Sequence, residues 1–334
     1  MRLLRLAAFV VLCSATHLSS QSAPTTFLTT AGKDTFCFEQ YSRKGNVVSG
    51  TWVVMHSPGV FVHDYTITLS NDGLPTHYTM KYTTPGDPNP PQLDSVDVVY
   101  GRDSATIVFI LKDSSVTHRV AMRDAFPLLG QSFVGVELAL LRLRRMHIDS
   151  ANVTLHPPTQ PSSPITIAPT RFVGSDTAVL GPIRMHVSGD ARILELHNGA
   201  LDMRRVAPID VHALTDGFVK KFAARRVALA AAAAARVEVA LTEAQLDRFV
   251  GDYKVGAVTA TITRDGDHLA FALQQGQQQQ PPLKLLASSS TEFFVRKPDL
   301  VITFETDAND AVTSLTIGVG DTRQRLPRVK PPSE

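Results

Sequence analysis

Few side chains in this 334-residue chain are spaced for catalysis. Ser132 comes nearest, in Gly130-Gln131-Ser132-Phe133-Val134-Gly135, which approaches a nucleophile elbow, the strand-to-helix turn that exposes a serine for attack on a carbonyl carbon. The elbow wants glycine two residues after the serine, and Val134 stands there. A β-branched residue suits that turn poorly, so Ser132 reads better as a helix N-cap. His56, His63 and His77 fall on or beside neighbouring strand-like segments, with Asp64 next to His63. Zinc would need three or four such ligands converging at bonds of ~2.3 Å or less, and eleven histidines in a strand-rich chain produce such groupings by coincidence. His-Glu-x-x-His, paired Cys-x-x-Cys, phosphate-loop and Gly-x-Gly-x-x-Gly patterns are all missing from the sequence. No catalytic, metal-ligating or cofactor-binding residue is therefore assigned, and no cofactor is expected.

Aromatic residues offer a binding surface instead. Trp52, Tyr65, Tyr78, Met80 and Tyr82 lie on consecutive strand-like segments, and a period of two puts the three tyrosines on the apolar face. Two readings follow. They fill the core between a sheet and a helix, or, in a strongly curved sheet, they line an apolar groove that the helix lids, as in a carrier of lipid-like molecules.

The elements that position these residues are mostly strands. Tyr65, Ile67 and Leu69 alternate with Thr66 and Thr68; Asn71-Asp72-Gly73 turns the chain; Tyr78, Met80 and Tyr82 then alternate with Thr79 and Lys81, which makes a hairpin. Ala105 to Leu111 is almost wholly apolar and is expected to be a central strand buried on both faces. A helix is expected over about Ser132 to Met146, with Phe133, Val136, Leu140, Leu141 and Leu143 as its apolar stripe. Arg142, Arg144, Arg145 and His147 crowd its end, where cations answer the negative end of the helix dipole. Strands resume after the prolines at 157 to 164, with Ser188-Gly189-Asp190 as a hairpin turn. Residues 216–240, including Ala230 to Ala235, favour a connecting helix.

Residues 1–22 read as a secretory signal, with Arg2 and Arg5 before the apolar run Leu6 to Leu12 and small residues at Ser20 and Ser22. That apolar run is far short of the ~20 residues a membrane span needs. Without Arg2 and Arg5 the 33 Lys+Arg become 31, equal to the 31 Asp+Glu, so the exported chain is near neutral and carries no field for nucleic acid. Cys13 leaves with the leader, and Cys37, between Phe36 and Phe38, reads as a buried small hydrophobe.

Near the C-terminus, Thr242 and Gln245 form a capping-box pattern, Gly251 supplies a helix stop, and from Val258 the hydrophobic period changes to two. With Phe249-Val250-Gly251-Asp252-Tyr253, Arg264-Asp265-Gly266-Asp267-His268-Leu269, Glu292-Phe293-Phe294, Ile302-Thr303-Phe304 and the basic tail Arg323 to Lys330 in order, residues 241–329 resemble the lipocalin-like C-terminal domain of unknown function that follows serine β-lactamase-like peptidases. The resemblance implies a small antiparallel barrel with no catalytic residues of its own. The Ser-x-x-Lys pair of those peptidases occurs nowhere in the chain, and His197-Asn198-Gly199, which fits their third motif, is left with no nucleophile to assist.

The expected molecule is mainly β: a signal peptide (1–22), a β-rich domain (23–215) forming a curved antiparallel sheet or open barrel with one packing helix, a helical connector (216–240), and a lipocalin-like barrel (241–330). The expected function is that of a secreted or periplasmic binding or accessory protein, without catalysis, acting on an apolar small molecule or a protein partner. The rival is a hydrolase assembled by the fold in the β-rich domain from Ser, His and Asp residues such as Ser132 and His63, or an accessory subunit of a separate serine peptidase.

Overall fold

The computed structural model describes residues 23–329, except 57–58, 88–89, 160–164, 199–200, 257, 276–277, 280, 297–299 and 320–321. The expected leader at 1–22, Pro161 and Pro164 of the proline stretch, and Gly276, Gln277 and Gln280 in the glutamine run before Pro281 therefore lie outside the described residues. The fold is mainly β, and it divides into two compact units between Phe222 and Ala223.

In the front unit β1 (Thr25–Ala31), β2 (Asp34–Lys44), β3 (Val47–His56), β4 (Gly59–Leu69), β5 (Pro75–Thr83), β6 (Leu93–Tyr100), β7 (Ser104–Leu111) and β8 (Ser115–Ala121) run as a continuous antiparallel meander. After β9 (Ala125–Pro127) and helix α1 (Val134–Arg145), β10 (Ser150–His156), β11 (Thr166–Val173), β12 (Thr177–Leu180), β13 (Ile183–Val187), β14 (Ile193–Asn198) and β15 (Leu201–Val206) form a second meander. β15 pairs with β1, and the two meanders become one fifteen-stranded sheet whose far edge, β9, lies parallel to β10.

This sheet curves round α1. Every residue from Val134 to Leu140 is buried, so the first two turns of the helix are enclosed on all sides rather than along one stripe. Val136, Leu138, Leu140 and Leu143 share one apolar cluster with Phe27, Trp52, Tyr65, Ile67, Tyr78, Leu155 and Met185. Each such side chain contributes roughly 1.5–3 kcal/mol through burial. Gly135 permits the closest approach: a Cβ there would lie 1.8 Å from the Pro127 carbonyl oxygen. The outer face of β2, β3 and β4 is covered by the first turns of a second helix, α2 (Val211–Ala235), whose Phe218 meets Phe38 edge-on at 5.5 Å with Val53, Met55 and Val60 around it. Strands β2 to β4 are thus buried on both faces over part of their length. Ala105 to Leu111, expected to be central, lies one strand in from the edge and alternates: Ala105, Ile107 and Phe109 point inward and Thr106 and Ile110 are exposed, since the α2 cluster covers the outer face over β2 to β4 and not here.

In the back unit α3 (Glu243–Asp247) precedes β16 (Gly251–Val255), β17 (Val258–Asp265), β18 (His268–Gln275), the short β19 (Gln278–Gln279), β20 (Leu283–Ala287), β21 (Glu292–Val295), β22 (Leu300–Thr306), β23 (Val312–Val319) and β24 (Thr322–Pro327). The bridge between Tyr253 and Arg328, with Val329 N–H donating to the Asp252 carbonyl at 2.8 Å, brings the last segment to the first and nearly closes an antiparallel barrel. The capping box forms as its residues predict, Gln245 N–H to Thr242 Oγ1 at 3.3 Å and Thr242 N–H to Gln245 Oε1 at 2.8 Å. Gly251 differs from expectation. It stands at φ 148° at the start of β16, after the helix has ended at Arg248, and the free carbonyls of Arg248 and Val250 are taken by the Arg328 guanidinium at 3.2 and 2.6 Å. Phe249, Tyr253, Phe293 and Phe304 fill the barrel with rings 4.5 to 5.7 Å apart.

Candidate ligand-binding site

The aromatic set expected to bind or to fill lies around α1. Trp52, Tyr65, Tyr78 and Met80 are buried, in the same apolar cluster as the helix. Trp52 donates its indole N–H to the sulfur of Cys37 at 2.9 Å, and Tyr65 lies 6.4 Å from Tyr78 in a stacked arrangement. Burial drives the Cys37 thiol far above its ordinary range, so it stays protonated, a packing atom. Tyr82 is only partly buried and faces a shallow groove with Thr84, Pro85 and Asp87. The helix and these side chains occupy the space between them.

His63 is held between rings, 4.5 Å from Trp52 and 4.9 Å from Tyr82, whereas His77 lies five rungs along the same hairpin and bonds Asp97 at 2.9 Å. The fold does not bring these two histidines together, and the side chain of His56 lies outside the described residues. His197 pairs with Asp202 across the β14–β15 hairpin, on the surface.

Ser132 is not the N-cap that its position suggested. α1 begins one residue later with Phe133 at the cap and no side-chain cap of its own, and Ser132 Oγ donates instead to Glu39 Oε1 at 2.6 Å. Glu39, reaching across from β2, does the capping: its Oε2 accepts the amides of Phe133 at 2.7 Å and Val134 at 3.2 Å, and Oε1 also accepts the Tyr65 hydroxyl at 2.9 Å. Burial pushes the Glu39 carboxyl upward, and the donors from Ser132, Phe133, Tyr65 and Val134 pull it back. A second buried carboxylate, Glu137, accepts from the Tyr41 hydroxyl, the Arg205 guanidinium and the Ile193 amide, the last at 2.8 Å. Arg205 extends the network to Thr25 Oγ1 at 3.0 Å and the Ile193 carbonyl at 2.7 Å. These carboxylates fasten α1 to β1, β2, β14 and β15, and their oxygens are occupied.

The C-terminal half of α1 borders an open cleft of about 490 Å³. Its apolar floor is Val48, Leu69, Leu138 and Leu141, and its wall is cationic: Arg43 from β2, Arg142, Arg144 and Arg145 from α1, and Arg192 from the turn before β14. The helix-dipole reading accounts for the three on α1. It does not account for Arg43 and Arg192, which strand order brings there. Arg142 reaches Asp72 at 3.3 Å, and Arg192 bonds Asp190 at 2.8 Å, which raises its pKa. Arg144 lies 3.9 Å over the Phe172 ring while its Nε and one terminal nitrogen are buried with no hydrogen-bond partner; Arg142 Nε is in the same position. Desolvation, followed by repulsion from Arg145, lowers the pKa of Arg43. A second open groove, over β13 to β15, is lined by the pairs His186 with Glu195 and His197 with Asp202.

Residues 235–327 match the family model "Domain of unknown function (DUF3471)". The match covers the barrel of the back unit and less than half of the chain, and agrees with the expected C-terminal domain; it shows no peptidase context. No curated protein matches the chain. Two solved structures give distant likenesses. The beta-barrel-like protein of domain of unknown function DUF1849 from Brucella abortus is 11% identical at a TM-score of 0.37, over 56% of this chain and 95% of that one. Aeromonas veronii immune modulator A is 9% identical at a TM-score of 0.16, over 91% and 92% respectively. No helix among the described residues is long and apolar enough to cross a membrane.

Proposed function

We propose that this protein is an exported binding or accessory protein, without catalysis of its own, that engages a small molecule or protein partner through the arginine-lined cleft of its front unit. One observation carries the reading: five guanidinium groups from three separate elements converge on one open cleft in which, among the described residues, two carboxylates, Glu137 and Asp190, take part, both already bonded within the protein. Cations gathered this closely repel one another, and the pKa of Arg43, lowered first by desolvation and then by Arg145, carries part of that repulsion; a ligand that neutralises the group relieves it. The apolar floor fits the general form of ligand sites, a hydrophobic surface with a few placed polar groups. Export rests on the leader-like residues 1–22.

A thermal-shift panel of acidic, neutral and apolar small molecules on the purified protein tests the cleft. Acidic compounds are expected to raise the midpoint, and Arg145→Gln is expected to abolish the rise. Stabilisation by neutral apolar compounds alone, unchanged in that variant, would return the site to the aromatic set around Trp52. Fractionation of the expressing cells, with the shortened chain in the periplasm or medium, tests export.

A further inference from the structure

We infer that the cleft bordered by α1 and the hairpin turns at 71–73 and 188–191 binds the phosphate group of a phosphorylated molecule, with Arg142, Arg144, Arg145 and Arg192 as its donors. The inference rests on the reading of this cleft as the recognition surface and names the chemistry that the surface takes.

Charge comes first. The cleft lining holds five arginines against Glu137 and Asp190, a formal excess of 5 − 2 = +3. For the four donors named above, adding the residues that bond the wall, Arg205 on Glu137 and Asp72 on Arg142, sets five arginines against Glu137, Asp190 and Asp72, 5 − 3 = +2. Asp72 is also held by Ser70 Oγ, Asp190 by Ser188 Oγ, and Glu137 by Tyr41 and the Ile193 amide, so these carboxylates are committed. A single carboxylate ligand would leave at least half of the excess in place. A phosphate monoester carries a charge of about −1.5 to −2 and three acceptor oxygens.

Donor type points the same way. All five cations in the lining are arginine, and none is lysine. Planar guanidinium forks are suited to bidentate contact with oxyanions, whereas an ammonium group is a point charge. Two of the forks already have inner edges dry and unsatisfied: Nε and a terminal nitrogen of Arg144, and Nε of Arg142. Buried donors without acceptors are uncommon in folded proteins. Among the described residues Arg145 has no carboxylate partner. Its terminal nitrogen lies over the turn at Gly73, 2.7 Å from where a Cβ would stand, so glycine at φ 86° leaves room for that guanidinium at the rim.

Size and floor indicate more than a bare anion. A volume of about 490 Å³ falls within the range of roughly 300–1,000 Å³ found for small-molecule sites. Leu141, with the edges of Leu69 and Leu138, offers the remainder of the ligand a small apolar surface. A soluble phosphomonoester and a phospholipid headgroup share this chemistry.

The test is calorimetric titration of the whole purified protein with phenyl phosphate, inorganic phosphate, sulfate and acetate at matched ionic strength, and sedimentation with phosphatidylcholine vesicles with and without phosphatidic acid. Phenyl phosphate is expected to bind at least about tenfold more tightly than acetate, and Arg145→Gln and Arg192→Gln are each expected to weaken it about tenfold, as loss of a charge-assisted pair requires. Arg145→Lys keeps the charge without the fork and should fall between. Binding to phenyl phosphate assigns a soluble source, and binding only to vesicles containing phosphatidic acid assigns a headgroup; either supports the inference. Phosphate compounds and doped vesicles binding no better than acetate and undoped ones would overturn it. If a different class, such as a dicarboxylate, then bound in an Arg145-dependent way, the cleft would remain the recognition surface. If no ligand depended on Arg145 or Arg192, both readings would fall.

Discussion

The two units solve the same problem, enclosing the inner face of a β-sheet, in opposite ways. The back unit closes its strands on themselves and fills the interior with Phe249, Tyr253, Phe293 and Phe304; its buried tyrosine hydroxyl is answered locally, Tyr253 to the Phe249 carbonyl at 2.8 Å. Among its described residues Ser314 is the one other buried polar side chain, and its long-range closure, through Arg328 and Val329, is made to backbone carbonyls. The front unit curves round a helix, and that helix carries polar groups which must be answered from afar: Glu39 caps α1 from more than ninety positions away, and Glu137 meets Arg205 from 68. A closed barrel is self-sufficient. A filled, open one depends on long-range polar pairs, and in turn it can keep charged side chains along the exposed end of its filling helix.

That contrast gives a graded set of expectations. Glu137→Ala strands the largely buried Arg205 and the Tyr41 hydroxyl, and should destabilise the front unit by about 3–5 kcal/mol. In calorimetry the front-unit transition should drop while a back-unit transition stays in place, and a shared loss would deny the separation. Gly135→Ala places a methyl group on the Pro127 carbonyl, so α1 must withdraw; about 2–3 kcal/mol is expected from denaturant midpoints, again confined to the front unit.

The next effect depends on pH. His156 is buried, neither ring nitrogen has a hydrogen-bond partner, and desolvation pulls its pKa from 6.5 to about 4. The unfolded chain therefore binds a proton that the folded one refuses between those values, and stability falls as pH drops through that window, by up to about 3 kcal/mol. His156→Leu should flatten this part of the stability profile; an unchanged slope would place the proton elsewhere. Smallest is Thr242→Ala, which removes half of the capping box and should cost the back unit about 1 kcal/mol in its thermal transition.

The same contrast governs what could be read in advance. The capping box, the Asn71-Asp72-Gly73 turn and the alternation around Tyr65 and Tyr78 are local patterns, and each appears in the fold where its residues predict. Composition misplaced the strand at Ala105 to Leu111, because an apolar run looks the same whether its second face meets protein or water. Glu137, a carboxylate among Val134, Val136, Leu138 and Leu140, was a signal that a distant partner had to exist; nothing local identified Arg205. Glu39 gave no such warning, and Ser132, the residue that resembled a cap, serves as one of its donors. Arg142, Arg144 and Arg145 could be seen clustering at a helix end, but Arg43 and Arg192 join them only through the order of strands in the sheet.

If the cationic wall beside α1 is a ligand surface and not a helix-end decoration, its arginines should respond directly to a phosphate ligand. The most direct measurement is a titration of the protein with phenyl phosphate, followed through the Nε–H resonances of its arginines by nitrogen-15 NMR. Saturable shifts concentrated on Arg142, Arg144, Arg145 and Arg192 are the predicted result. Shifts spread evenly over the surface, or centred on Arg325 and Arg328 of the barrel, would contradict it.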